Sequence, residues 1–348
     1  MIGIIVSSRT MRQKKSHSPP FLFTYYKKLA QQNKVDVCFY ALKHLSLRNK
    51  TVKGVVYSYS NDRFRQDTVR VPEVNVYKIN SYLRNKENIH KVKYLSKYHG
   101  RMFFHAITNT ERSKLKIHHY LQNHKEIAPM LPETKKLTYE TVQSMLKKYS
   151  VLYIKPRRSS RGNDIYVLKK QDTEISLYRV KNFQEETIYV PKEQLSSLYF
   201  STFRTPEEFL IQQGIDAKRY KGKKFDFRIS PQKNKDSQWQ ITGMTARLSK
   251  KFVNITNLDQ GGQVFYKTKK LIHKSERKII KKAAILIAKT IEAKYPQVID
   301  LGLDMAIDKK GQIWLYEVNF RPYRRRMNIK HNRIPFEHAV SYWREKFE

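Results

Sequence analysis

Short apolar blocks of strand length recur along the chain, separated by longer stripes with helical spacing. Residues 2–7 are an apolar run that reads as a buried strand. Residues 21–32 carry a helical pattern, and Ser18-Pro19-Pro20 marks its start. Residues 35–40 and 52–59 read as strands, and Val71-Pro72 opens a further extended piece. Strands alternating with helices predict a small α/β domain with a mainly parallel sheet over residues 1–105.

From about residue 100 the stripes lengthen. Helices are expected over 113–123 and 138–149, the second with Val142, Met145 and Leu146 on one face and a Thr138-x-x-Thr141 start. Leu131-Pro132-Glu133-Thr134 reads as an extended connector. A strand over 151–155 enters a polar loop and returns over 165–168. Another, 207–211, ends at Gln212-Gln213-Gly214. Strands 224–229 and 239–247 flank a polar turn at 233–236. The clearest helix is 275–295, with Ser275 as N-cap, Glu276 in the first turn and an apolar face of Ile279, Ala283, Leu286, Ile287 and Ile291.

A hairpin follows in LGLDMAIDKKGQIWLYEVNFRP. Asp308-Lys309-Lys310-Gly311 is turn chemistry between two runs of β-formers. With Lys309-Lys310 at the tip, Asp304 faces Leu315 and Gly302 faces Glu317. The two-residue period then brings Asp304, Glu317 and Asn319 out on one sheet face. Two carboxylates and an amide oxygen suit Mg2+ shared with nucleotide phosphates. Ordinary solvated charges on an exposed hairpin are the competing reading.

At 348 residues and 40% hydrophobic content, the chain is globular and long enough for two or three domains. No apolar run approaches the ~20 residues of a membrane span. Residues 1–6 are too short and wrongly flanked for a signal peptide. The single cysteine, Cys38, lies in an apolar run, which suits a buried thiol in a reducing, cytoplasmic compartment. Lys and Arg number 70 against 30 Asp and Glu, a net charge of +40. That excess implies an anionic partner such as nucleic acid, an anionic wall or coat polymer, or an acidic substrate. Zinc-finger, RRM and helix-turn-helix signatures are missing from the sequence.

Three further constellations carry chemistry. Lys155 closes a strand and precedes a loop with Ser159, Ser160 and Gly162, flanked by Arg157, Arg158 and Arg161. Point charge beside loop donors suits phosphate, although a basic surface hairpin has the same composition. Asp226 and Arg228 share a strand face, and Arg247 follows on the next strand. The two arginines suit a phosphoryl clamp, or else a cross-strand ion pair with the aspartate. Asn257, Gly261 and Gly262 form a polar loop whose paired glycines let backbone N–H groups approach an anion. His118 and His119 point about 100° apart on a helix, which argues against a shared metal.

In their order along the chain these pieces resemble the ATP-grasp superfamily of carboxylate–amine ligases. LPET at 131–134, IQQGI at 211–215, FDFRI at 225–229 and TNLDQGG at 256–262 are similar to the Bacillus-type YheC/YheD group of endospore coat-associated proteins. The resemblance implies an α/β (α+β) chain: a Rossmann-like N-terminal domain, then two α+β subdomains, 106–210 and 211–348, that grip a nucleotide. It implies phosphate contacts from Lys114 and Lys155 and from the loop of Ser159, Ser160 and Gly162. It implies adenine contacts from a hinge at Gln212, Gln213, Gly214 and Ile215. Asp304, Glu317 and Asn319 match the Mg2+ ligands, and Arg228 and Arg247 the arginines near the transferred phosphoryl group. Asn257, Gly261 and Gly262 match the substrate loop. The implied cofactors are ATP and Mg2+, and the implied partners an acid, an amine and a spore-coat layer in the mother-cell cytoplasm. Ser159 and Asp164 stand where the family commonly has glycine. A non-catalytic nucleotide-binding coat protein and a basic polyanion binder with a vestigial ATP site are the alternatives.

Overall fold

The run at the start of the chain becomes β1 (Ile2–Ile5), the centre of the first of three sheets. A computed structural model describes residues 1–13, 21–78, 83–157, 165–181, 184–249, 262–320 and 330–348. The first unit continues with α1 (Ser8–Gln13), α2 (Phe21–Asn33), β2 (Val37–Tyr40), β3 (Leu45–Ser46), β4 (Thr51–Ser58), β5 (Arg63–Arg70), β6 (Val74–Tyr77), α3 (Lys86–His99) and β7 (Met102–Phe104). Strands β2, β1, β6 and β7 are parallel neighbours. The sheet as a whole is mixed rather than mainly parallel, because β4 runs antiparallel to β2, β3 and β5. The link from β2 to β4 is too short for the helical crossover that a parallel neighbour requires.

Successive residues of the parallel strands serve two cores. Ile2, Ile4, Val37 and Phe39 pack with α2, whereas Ile5, Cys38 and Tyr40 pack with Val92 and Leu95 of α3. Burial on both faces explains why these strands are apolar runs without alternation. It also pushes the Cys38 thiol up to about 12, so it is an inert packing group.

The second unit holds α4 (Lys114–Gln122), β8 (Thr134–Lys136), α5 (Tyr139–Lys148), β9 (Val151–Pro156), β10 (Tyr166–Lys170), β11 (Glu174–Lys181), β12 (Gln184–Pro191), α6 (Leu195–Thr202) and β13 (Phe209–Gln213). Its strand order is β12-β11-β10-β9-β13-β8. Helix α5 starts with a reciprocal cap in which the Thr138 side chain accepts from the Thr141 N–H and the Thr141 side chain accepts from the Thr138 N–H. Its buried stripe is Val142, Met145 and Leu146.

The third unit holds β14 (Arg219–Tyr220), β15 (Lys223–Lys233), β16 (Trp239–Leu248), β17 (Gln263–Phe265), α7 (Lys274–Lys294), β18 (Gly302–Ile307), β19 (Ile313–Asn319) and α8 (Lys330–Phe347). Its order is β17-β16-β15-β18-β19, with β14 on β15. Helix α7 starts two residues earlier than a Ser275 N-cap predicts. His273 is the N-cap, accepting from the Ser275 N–H, and Glu276 accepts from the His273 N–H at 3.0 Å. Ile279 is 55% exposed and Ile280 is fully buried. One residue is a 100° turn, so the true stripe is Ile280, Ala284, Ile287 and Ile291. Helix α8 leaves this unit and packs on the first sheet, where Phe336 meets Tyr26 edge-to-face at 5.4 Å.

Candidate active-site cleft

Alternation along β15 sets the chemistry of the third sheet. Phe225, Phe227 and Ile229 face α7 together with Leu303, Met305 and Ile307 of β18. The intervening Lys224, Asp226 and Arg228 therefore occupy the opposite face. On β16, Ala246 and Leu248 join the α7 core, and Arg247 lies on the face of Asp226.

The hairpin reaches the same face by a route different from the expected one. Asp304 pairs with Glu317 and Gly302 with Asn319, in place of Leu315 and Glu317. Two one-residue shifts produce this. The tip is Lys309-Lys310-Gly311, closed by the Asp308 N–H donating to the Gln312 carbonyl at 3.0 Å, with Gly311 at φ 85°. A bulge then leaves Tyr316 unmatched between Leu315 and Glu317. Ile313 and Leu315 face the α7 core before the bulge, and Val318 and Phe320 face it after. If the strand alternated regularly through Tyr316, Glu317 would follow Leu315 into that core. The bulge puts Glu317 and Asn319 in the cleft beside Asp304.

Asp304 is 5% exposed. Arg228 donates to it from Nε at 2.5 Å and Nη2 at 3.1 Å. Arg247 Nη2 stands 3.2 Å from Asp304 Oδ2, and Asn319 Nδ2 donates to the same oxygen at 3.4 Å. Arg247 also grips Asp226 through two bonds of 2.7 Å. Burial pushes the Asp304 carboxyl up, but the two guanidiniums outweigh it and hold the group below the usual carboxylate range. Burial disfavours the Arg247 charge, and Asp226 with Asp304 more than restores it. The ion-pair reading of the Asp226–Arg247 constellation is thus present, extended to a four-membered network.

Across the cleft, Lys155 on β9 donates to Gln212 Oε1 on β13 at 2.6 Å. Gln212 Nε2 donates to Thr134 Oγ1 at 3.0 Å, and the Glu133 N–H donates to Gln213 Oε1 at 3.1 Å. The LPET segment therefore braces the Gln212–Gln213 strand end. Gly214 follows under close contact, because a Cβ there would stand 2.5 Å from the Val151 carbonyl oxygen. Ile215 is buried behind it. Lys114, at the start of α4, lies 3.6 Å from Glu317. Burial and the nearby Lys114 charge lower Lys155 to about 8, against partial compensation by Glu317 and Asp304.

Lys224 escaped the sequence reading. It is 7% exposed, donates to the Tyr153 hydroxyl at 3.2 Å and lies 5.1 Å from that ring's centre. The signal was available, since Lys224, Asp226 and Arg228 are two residues apart on one strand face. Ser159, Ser160, Gly162, Asn257 and Gly261 lie outside the described residues, as does Asp164. Gly262 stands directly before β17, whose Val264 pairs with Arg247.

Lys114 and Lys155 therefore face Asp304, Glu317 and Asn319 across one cleft, and the almost fully buried Lys224 borders it from the same sheet as Asp304. The Tyr316 hydroxyl is buried there with no hydrogen-bond partner among the described residues. Clustered lysines, with the proton affinity of Lys155 depressed, suit a polyanion, and Asp304, Glu317 and Asn319 are hard oxygen donors of the type a Mg2+ ion takes. The residues present fit a metal-bound polyphosphate.

This architecture is that of the ATP-grasp ligases. A D-Ala:D-Ser ligase, VanG of Enterococcus faecalis, superposes with a TM-score of 0.52 at 12% identity, covering 97% of this chain and 96% of that one. D-alanyl-alanine synthetase A of Vibrio cholerae O1 gives 0.53 at 11%, covering 98% and 97%. The family model for YheC/D like ATP-grasp matches residues 104–342, and the chain belongs to that family. Endospore coat-associated protein YheD of Bacillus subtilis is 30% identical over 249 residues, 67% of this chain and 55% of YheD. Endospore coat-associated protein YheC of the same organism is 24% identical over 287 residues, 79% of this chain and 77% of YheC. The chain thus spans little more than half the length of YheD.

Proposed function

We propose that the chain is an ATP-dependent carboxylate–amine ligase associated with the spore coat. The observation that carries this reading is the cleft in which Lys114 and Lys155 face Asp304, Glu317 and Asn319, with Lys224 beside Tyr153 at its border. Lys114 and Lys155 hold the nucleotide phosphates, with Ser159, Ser160 and Gly162. The backbone of Gln212, Gln213, Gly214 and Ile215 reads the adenine edge. Asp304, Glu317 and Asn319 would hold Mg2+, which when bound neutralises phosphate charge. Arg228 and Arg247 lie next to those ligands and stabilise negative charge on the phosphoryl group in transfer. Asn257, Gly261 and Gly262 line the acid. In such a reaction the acid's carboxylate oxygen attacks the γ-phosphorus and ADP leaves. The amine nitrogen then attacks the acyl carbon, phosphate leaves, and the amine loses a proton.

The three separate sheets support a division into 1–105, 106–210 and 211–348, with α8 tying the last unit to the first. No helix among the described residues is long and apolar enough to cross a membrane. The net charge of +40 supports adhesion to an anionic layer, and the coat-associated relatives point to the mother-cell cytoplasm and coat surface.

A second reading is a coat protein that binds nucleotide without catalysis. It is favoured by the engagement of both Asp304 oxygens with arginine. Titration calorimetry with Mg-ATP tests the cleft, and no heat at millimolar nucleotide with folded protein rejects both readings. ADP release that requires one acid and one amine from sporulating-cell extracts selects the ligase, and binding without such release selects the coat protein.

A further inference from the structure

Strand β16 is paired on its outer side only at its C-terminal end, where β17 meets Ala246–Leu248. Among the described residues no strand pairs with the outer edge of its preceding part, residues 239–245. Beside that open edge lies a pocket of about 510 Å3, floored by residues 241–244. Five cations line it: Lys267, Lys269 and Lys270 before α7, and Arg277 and Lys281 on its first turns. Among the described residues the lining contains no carboxylate. Glu276, the acid in the first turn of α7, is already used by Lys218 at 2.5 Å and by the His273 N–H. Among the described residues none of the five cations has a carboxylate partner. Five like charges around one cavity repel one another, and an anionic occupant would relieve that repulsion.

The pocket also has an apolar side. Ile241 and Met244 line it, and Tyr266 at its border is 53% exposed. A phosphate polymer has nothing to place on those groups, whereas a peptide does. Same-face side chains of an added strand recur every ~6.7 Å. Arg277 and Lys281, one turn apart, are separated by about 6 Å along the helix axis.

We infer that this edge docks an extended acidic peptide segment whose alternate carboxylates enter the basic pocket. The bulge at Thr242, where pairing with β15 slips between Ser230 and Pro231, shortens the usable edge to residues 243–245. Main-chain bonds there set the register of the peptide, and its carboxylates supply most of the affinity. The site is on the α7 side of the sheet edge and does not depend on nucleotide in the cleft.

The test uses the full chain and a fluorescent eight-residue peptide of alternating Glu and Val. Anisotropy should show binding that weakens at least about tenfold in Lys267→Glu/Lys269→Glu/Lys270→Glu. A control reversal on the first unit, Lys86→Glu/Lys93→Glu/Lys97→Glu, should weaken it no more than about threefold, because screening confines the effect to near charges. Replacing the three pocket lysines by arginine should keep binding. Bound peptide should protect the backbone amides of 243–245 from hydrogen exchange. Equal loss in both triple variants overturns the proposal in favour of unspecific charge. Long-chain polyphosphate that binds the pocket as tightly per charge as the peptide, without protecting 243–245, overturns it in favour of a phosphate polymer. All six replaced lysines are exposed, so the variants should melt like the parent.

Discussion

Asp304 stands directly opposite Glu317 across β18 and β19, two residues away from the partner an unbroken two-residue hairpin would give it. One of the two displaced residues belongs to the Gly311 turn and the other is Tyr316. Because side chains alternate, a shift of two keeps Asp304 on its face, while the bulge turns Glu317 towards it. Deleting Tyr316 removes the bulge, so Glu317 follows Leu315 directly and alternation keeps Glu317 and Asn319 on the cleft face in a regular strand. Circular dichroism should therefore show a folded chain, and loss of the fold would mean that the bulge itself is needed.

A side-chain change at the same position is milder still. The Tyr316 hydroxyl has no partner among the described residues, so Tyr316→Phe removes a desolvated polar group and little else. Chemical denaturation should show stability unchanged or raised by up to about 1 kcal/mol. A loss of more than that would mean the hydroxyl is bonded.

Lys155 predicts a proton signature. Burial and Lys114 hold it at about 8, below its ordinary 10.5. Between those values the unfolded chain binds the proton and the folded chain does not, so the free protein should gain stability as pH rises through this window. A nucleotide polyphosphate would raise Lys155 again. Titration of Mg-ATP at about pH 8.5, in buffers of different ionisation enthalpy, should show uptake of up to about one proton per site. Lys155→Met should abolish that uptake, weaken binding and raise the melting temperature of the free protein at pH 7.

The arginine network should be costly to break on one side. Arg247→Met leaves Asp226 without its bidentate partner and Asp304 with one guanidinium fewer. A loss of about 3–5 kcal/mol is expected from denaturant unfolding. Asp226→Asn in the same chain should recover part of it, because the charge that lost its bidentate guanidinium is removed. The depressed Asp304 carboxyl adds an acid limb: its stabilisation is present at neutral pH and fades as pH falls through its folded value.

Gly214→Ala places a methyl 2.5 Å from the Val151 carbonyl oxygen, a backbone atom that cannot swing away. Separation of β13 from β9 or a local backbone shift must follow, at roughly 1–3 kcal/mol. Thermal unfolding checks the cost, and Mg-ATP titration checks whether the following hinge still binds.

Much of the cleft is legible in the sequence. Lys155 at a strand end, the Asp226-x-Arg228 strand, Arg247 on the next strand and the Asp304, Glu317 and Asn319 set are local patterns. The structure brings all of these residues to one cleft. The sequence alone did not decide between an ion pair and a clamp for the arginines, because both use the same residues. Lys224, the first residue of the expected strand 224–229, was readable by period two, but a strand-end lysine among basic neighbours looks the same in sequence whether it is solvated or buried. The edge strand β5 is largely polar, so its identity depends on the neighbour it pairs with.

Local chemistry determined where helices and strands lie and which side chains carry charge, because capping, turn residues and hydrophobic period act over a few residues. Tertiary structure decided the rest: the Tyr316 bulge, the antiparallel half of the first sheet, the choice of Ile280 over Ile279 and the docking of α8 on a sheet more than 200 residues away. Each of these is settled by which distant surface a segment buries, a free energy that no single segment contains.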